Sequence, residues 1–467
     1  MPAPSVTAAL RRHAATRPHA LAAADARESV DWAALLARVD AQAAALRTAG
    51  VRPGDRVAHR LPDGVPALVA ALAVLDLGAV HAPVDHLLAP PEVATAERAM
   101  AAAWRLFAGA DGAVQAERTG LDAVADPLGP GASAFVRCSS GTTGTAKGVL
   151  LSHATVLERV AAANRGLLLD GDDRVLWLLP MAYHVAVSVA LYVQVGAAIV
   201  FANALRATTT AAIARAHAVT FAYANPYHVR RLADLPATDA LPASLRRVVS
   251  TTTALDADAA RRFHARHGVP VAQGLGIIEV GLPLLSAGAI DEPPGRFAIL
   301  PDYRVSIRDG HGAAAPIGAA GELAIAGPGL LDAYLTPWRP RAQVLHDGCF
   351  LTGDIARVES DGTVQLLGRC KDVINVGGVK VFPLEIESVL DAHPDVVASR
   401  VYGEADPRTG ERIRAEVALA AQAQRIDAEA RLAAWCSERL AAMKRPAVIS
   451  VVDQVELTAT GKVRRLY

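Results

Sequence analysis

The apolar positions of WAALLARVDAQAAALRTAG, Trp32 to Gly50, recur at helical spacing and stop at a glycine, with the turn VRPGD following. That pattern predicts a helix closed by a C-terminal glycine. Short β-branched runs follow at intervals: RVAHRL, DRVLWLLP, AAIVFA and RRVVST. Between them stand Ala-rich segments of helical character, TTTAAIARAHA and DADAARRFHARHG. Apolar strands alternating with helices predict an α/β architecture with largely parallel, buried strands. From about Gly295 the texture changes to RVSIRDGHG, GELAIAGPG and GTVQLLGR, which predicts a β-rich subdomain. After Gly368 it changes again, to DVINVGGVKVFPLEIESVLDAHPDVV, RAEVALA, a helix around Leu432 to Leu440 and AVISVVDQVEL. This last part reads as a compact α+β unit. The expected division is a large N-terminal domain over residues 1–368 and a small C-terminal domain over 369–467, with the boundary near Arg369–Lys371.

Two apolar runs test for a membrane span. Val65 to Val80 contains Asp76, and Val185 to Ala202 is interrupted by Ser188, Gln194 and Gly196. The second parses as a buried helix, a turn at Gly196 and the strand AAIVFA. The N-terminus, MPAPSVTAALRRHAATRPHA, lacks the apolar stretch of a signal peptide. At 467 residues the chain has the length of two or three domains, and 52% of it is apolar, enough for a large core. Lys+Arg and Asp+Glu balance at 47 each, which argues against a nucleic-acid surface or an anionic-membrane patch. The expected partner is a small molecule in a local site. The four cysteines, Cys138, Cys349, Cys370 and Cys436, form no CxxC pair and have no histidine at ligand spacing. They read as small apolar residues in a reducing, cytoplasmic compartment.

The chemistry starts at SSGTTGTAKGV, residues 139 to 149. Glycines at 141, 144 and 148 allow tight turns that bring backbone N–H groups to a ligand. Ser139, Ser140, Thr142 and Thr143 add hydroxyls, and Lys147 adds a positive charge. With the strand-like SAFVRC before it and VLLSHAT after it, the stretch outlines a strand–loop–helix phosphate site. It is not a Walker A loop, because Lys147 follows Ala146 and precedes Gly148. Taken alone, a polar surface loop fits it too.

Five further blocks follow in order: LLPMAYHVAV, QGLGIIEVG, FLTGDIARVESDG, GRCKDVINVGGVKVFPLEIE and ELTATGKVRR. With SSGTTGTAKGV they resemble, over most of the chain, the adenylate-forming superfamily of acyl- and aryl-CoA synthetases, nonribosomal adenylation domains and firefly luciferase. Ala146 stands where the pattern has proline. The resemblance implies a reaction in which ATP activates a carboxylic acid as acyl-AMP, which then passes to a thiol. The loop Ser139, Ser140, Gly141, Thr142, Thr143, Gly144 and Lys147 would hold the β- and γ-phosphates. Glu279 would hold Mg²⁺, a hard cation suited to carboxylate and phosphate oxygens. Asp354 and Arg369 would meet the ribose, and Lys462 would bridge carboxylate and α-phosphate. The resemblance also implies that the C-terminal domain turns about Lys371 between two half-reactions. Gly377 and Gly378 would then line the thiol tunnel. Lys462, His184 and Lys371 are thus the expected catalytic residues. Tyr183, His184, Tyr223, Asn225, Thr252, Gly274, Leu275 and Gly276 would form the substrate pocket.

Three departures stand out. Leu275 occupies the place of a tyrosine, Ile278 that of a threonine, and VVSTTTALDAD replaces a glycine-rich segment. Amino-acid-activating members carry an aspartate where this chain has His184, which disfavours an α-amino acid. The apolar segments VAVSVALYV, FAYANPYH and GLGIIEVGLPLL fit an aryl or short-to-medium aliphatic acid. The sequence stops just after the Lys462 block, so the expected acceptor is coenzyme A or the phosphopantetheine of a separate acyl carrier protein. Transfer of the adenylate to a non-thiol nucleophile, a nucleotide-binding pseudoenzyme and a luciferase-like oxygenase are the competing readings. A pseudoenzyme would be indifferent to Lys462→Ala.

Overall fold

The computed structural model describes residues 5–110, 112–129, 131–139, 147–202, 206–289 and 292–456. The expected helix runs over Trp32–Ala49. The Asp31 side chain caps it by accepting from the Ala34 amide at 2.8 Å. Gly50 closes it at φ 101°, a left-handed position that favours glycine. The apolar run at Val65 becomes a helix over Val65–Asp76 and a strand over Val80–Pro83. Asp76 ends the helix in an ion pair with Arg11 at 2.6 Å. The second run divides at Gly196, which caps the helix Ala190–Val195 ahead of the strand Ala198–Phe201. Among the described residues no helix is long and apolar enough to cross a membrane.

Three sheets organise the described residues. A parallel block takes in the strands Leu21–Ala24, Ala198–Phe201, Arg174–Trp177, Phe221–Ala224, Arg247–Ser250 and Val271–Ile277. Six antiparallel strands that follow in sequence continue this path, and Ser29–Asp31 adds an antiparallel strand at the opposite edge, thirteen among the described residues. The change from parallel to antiparallel falls at the hairpin of Val271–Ile277 and Gly281–Leu285, ahead of the Gly295 boundary that texture suggests. The reason is physical: a two-stranded reversal needs only a tight turn, whereas a parallel crossover needs a helix. A second sheet has eight strands, and a third, of five strands, takes in Ile374–Val376 through Val448–Val452. The helices Pro383–Asp391 and Ala428–Arg439 share a separate apolar core with the third sheet.

Six elements frame the candidate site. They are β1 (Ser133–Ser139), β2 (Lys147–Ser152), α1 (His153–Leu167), α2 (Met181–His184), β3 (Phe350–Val358) and β4 (Val364–Arg369).

Candidate active site

The segment expected to hold phosphate falls, in the chain, between two antiparallel strands. β1 pairs with β2 from Ser133↔Ser152 to Ser139↔Lys147. This corrects the strand–loop–helix outline: α1 begins only at His153, where Ser152 Oγ accepts from the Thr155 amide at 3.1 Å. The run Gly148–Leu151 after Lys147 is apolar and buried, and it extends the hairpin before the Ser152 cap allows a helix. Ser140, Gly141, Thr142, Thr143 and Gly144 lie outside the described residues, as does Lys462.

Lys147 and Glu279 are brought together by a residue the motifs do not name. The Lys147 ammonium lies 5.1 Å from the centre of the Tyr334 ring. The Tyr334 hydroxyl donates to Glu279 Oε1 at 3.0 Å. Burial and then the Glu279 charge push the Tyr334 phenol up, so it keeps its proton and donates. The Glu279 carbonyl accepts from the Leu331 amide at 2.7 Å, which ties the carboxylate's own backbone to the Tyr334 segment. Among the described residues no group of three or more His, Cys, Asp or Glu could hold a metal.

Below this loop runs a wholly buried arginine that the sequence motifs also pass over. Arg159, on α1, donates from Nη1 to the Ile278 carbonyl at 2.9 Å and from Nε to the Gly329 carbonyl at 3.0 Å. Glu158 accepts from the Gly329 amide at 3.1 Å. Burial lowers the Arg159 guanidinium to about 10, still fully charged at neutral pH. Gly329 sits at φ 67°, and a Cβ there would come within 2.7 Å of the Arg159 backbone nitrogen. Only glycine fits.

Asp354 and Arg369 meet across β3 and β4, where their register pairs them directly. Arg369 Nε stands 2.7 Å from Asp354 Oδ1, and Nη1 donates to the Thr352 carbonyl at 3.3 Å. The turn is held by Glu322, which accepts from the Gly353 amide at 3.0 Å. Lys371 follows in the single turn Cys370–Asp372 and is exposed. Gly377 and Gly378, at φ 59° and 85°, form the exposed two-residue turn between Ile374–Val376 and Val379–Val381.

Tyr183 and His184 close α2, and a π-helical turn over Val185–Val189 follows directly. Such turns concentrate at functional sites. Tyr223 stacks on Trp177 with ring centres 5.8 Å apart, and the His184 ring meets both edge-on. Burial and Asp85 push the Tyr183 hydroxyl up to about 12. Tyr223 is buried, which pushes its phenol up, and Ser188 and Thr251 act on its hydroxyl in the opposite direction. Asn225 is engaged as a helix cap, its Oδ1 accepting from the His228 amide at 3.0 Å. Thr252 holds φ 83°, a strained position for a β-branched residue. Its neighbour Thr251 donates to the Gly274 carbonyl at 2.9 Å. A Cβ on Gly274 would meet Leu282 at 3.0 Å, while Gly276 is open. Leu275 packs on the core, half-buried.

Comparison with known proteins places this geometry in a class. The family model of the AMP-binding enzymes matches residues 10–117 and 97–335, and that of the AMP-binding enzyme C-terminal domain matches 385–462. The chain belongs to this family. It is 31% identical to a feruloyl-CoA synthase of Amycolatopsis, over 97% of this chain and 96% of that one. It is 32% identical to a sulfoacetate–CoA ligase of Cupriavidus necator, over 73% of this chain and 67% of that one. Among solved structures, ATP-bound MatB of Rhodopseudomonas palustris superposes with a TM-score of 0.84 at 26% identity, covering 97% and 96% of the two chains. The protein is accordingly an AMP-forming acid–CoA ligase, which uses ATP, Mg²⁺ and coenzyme A and takes a small-molecule acid.

Proposed function

We propose that the protein activates an aryl or other largely apolar carboxylic acid as its acyl-adenylate and passes the acyl group to the thiol of coenzyme A. The observation that supports adenylation best is the Lys147–Tyr334–Glu279 chain, which sets a cation and a carboxylate beside the end of the hairpin loop. In this reading Lys147 and the loop hold the β- and γ-phosphates. Glu279 holds Mg²⁺, which neutralises charge on the phosphates when bound. Asp354, oriented by Arg369, accepts from the ribose hydroxyls. Lys462 stabilises the charge that builds as the carboxylate attacks the α-phosphate. Two domains divide near residue 369, with Lys371 as the hinge and the Gly377–Gly378 turn beside the thiol path.

The apolar wall argues for the acid class. Trp177 and Tyr223 are buried and stacked, and the His184 ring meets both edge-on, so this wall is aromatic. Stacked rings bind an aromatic acid through area and quadrupole geometry. The relatives' names divide: feruloyl is an aryl acid, which agrees with this wall, and sulfoacetate is a small polar one, which does not. An acyl carrier protein is the second acceptor to try. The experiment is pyrophosphate release with ATP and Mg²⁺ over a panel of ferulate, indoleacetate, octanoate and sulfoacetate, with and without coenzyme A. Acid-dependent release that coenzyme A accelerates supports the reading. Release that only sulfoacetate stimulates rules out the apolar pocket.

A further inference from the structure

Arg137 has no part in the chemistry described so far, yet it stands where that chemistry happens. It lies on β1, two residues before the chain leaves the strand toward Lys147, and is half-buried. Strand alternation puts it on the same face as Phe135, which is wholly buried in the main core. Nη1 donates to the Tyr183 carbonyl at 2.7 Å, and the guanidinium carbon lies 5.3 Å from the centre of the Tyr183 ring. Nε is buried and has no hydrogen-bond partner among the described residues. The largest favourable charge acting on the group is Glu279, and burial pushes the guanidinium down from its ordinary value.

A leucine or methionine would fill such a position without these costs. A buried guanidinium with an unused N–H is unfavourable unless an anion completes it. Its planar fork of donors matches a carboxylate. In the adenylating reading the acid meets the nucleotide beside Glu279, whose charge acts on Arg137 and repels an approaching carboxylate. We propose that Arg137 binds the carboxylate of the acid substrate, donating from Nε and aiming one oxygen at the α-phosphorus. That oxygen forms the new bond to phosphorus as the bond to the bridging oxygen of pyrophosphate breaks. Pyrophosphate leaves with the electron pair, and Arg137 transfers no proton. The inference rests on the adenylating reading above.

The test is ATP–pyrophosphate exchange by the full chain and its Arg137→Gln and Arg137→Lys variants, using the best acid of the panel. Loss of a charge-assisted hydrogen bond of this kind lowers kcat/KM for the acid by roughly 10- to 100-fold in Arg137→Gln, with the KM for ATP within about twofold. Arg137→Lys recovers part of the loss, since it keeps the charge without the fork. Thermal melting separates misfolding from lost binding, and Arg137→Met fills the same core volume should the glutamine variant unfold. A folded Gln or Met variant with wild-type acid kinetics overturns the inference. So does a loss confined to the KM for ATP, which would assign the group to a phosphate. Absence of acid-dependent exchange in the unmodified protein would instead sink the adenylating reading, and this inference with it.

Discussion

Tyr334 illustrates how one hydroxyl can place two charges. It presents its ring to Lys147 and its proton to Glu279, so the cation and the carboxylate sit near each other without neutralising one another in a direct ion pair. Tyr334→Phe keeps the ring and removes the hydrogen bond, a loss of about 1 kcal/mol or roughly fivefold. That loss should raise the KM for Mg–ATP at steady state and leave the fold intact. A change confined to the acid kinetics would contradict this placement. His59 and His81 form a second pair, buried, with Nδ1 and Nε2 at 2.6 Å. Burial takes His59 down to about 4 from 6.5, so it is neutral in the folded state while the unfolded chain binds a proton. The stability this contributes is present above pH 6.5 and is lost as the pH falls toward 4, by about 3 kcal/mol from this group alone. Urea midpoints measured from pH 7 to 4 should fall accordingly, and fall less steeply in His59→Leu.

At the scale of elements, α1 acts as a girder under the Glu279 loop. Arg159 reaches Ile278 and Gly329, at separations of 119 and 170 residues. Arg159→Met strands two buried carbonyls and should lower stability by about 2–4 kcal/mol in urea titration. Gly329→Ala meets both the Arg159 backbone and a positive φ, and should behave similarly. Unchanged stability in both variants would refute the girder. This is also where sequence reading reaches its limit. The Trp32–Ala49 helix is legible because its cap Asp31 and its stop Gly50 adjoin it. The Asp354–Arg369 pair follows from two motifs that hairpin register joins. Arg159 and Tyr334 carry no local signature, because their partners are remote and one set is backbone. The strand after Lys147 departs from the expected helix start, since a buried run of GVLL fits either element until the Ser152 cap is placed.

Across the whole molecule, the third sheet and its two helices follow a short exposed turn that contains Lys371. If that turn is the hinge, Lys371→Pro fixes one backbone angle and should slow the two half-reactions unequally. Single-turnover adenylation and thioester formation, measured separately, would show this; equal slowing of both would count against a hinge there. The balanced charge of 47 against 47 fits a protein whose specificity lies in one interior site rather than on its surface. In the proposed function the acid is adenylated at that site, beside Lys147, Tyr334 and Glu279. The most direct test is acid-dependent ATP–pyrophosphate exchange by the intact protein and by Glu279→Gln. The expected result is exchange stimulated by an aryl acid such as ferulate and reduced by at least about 100-fold in the variant. Exchange that is independent of any acid, or equal in the two proteins, would contradict it.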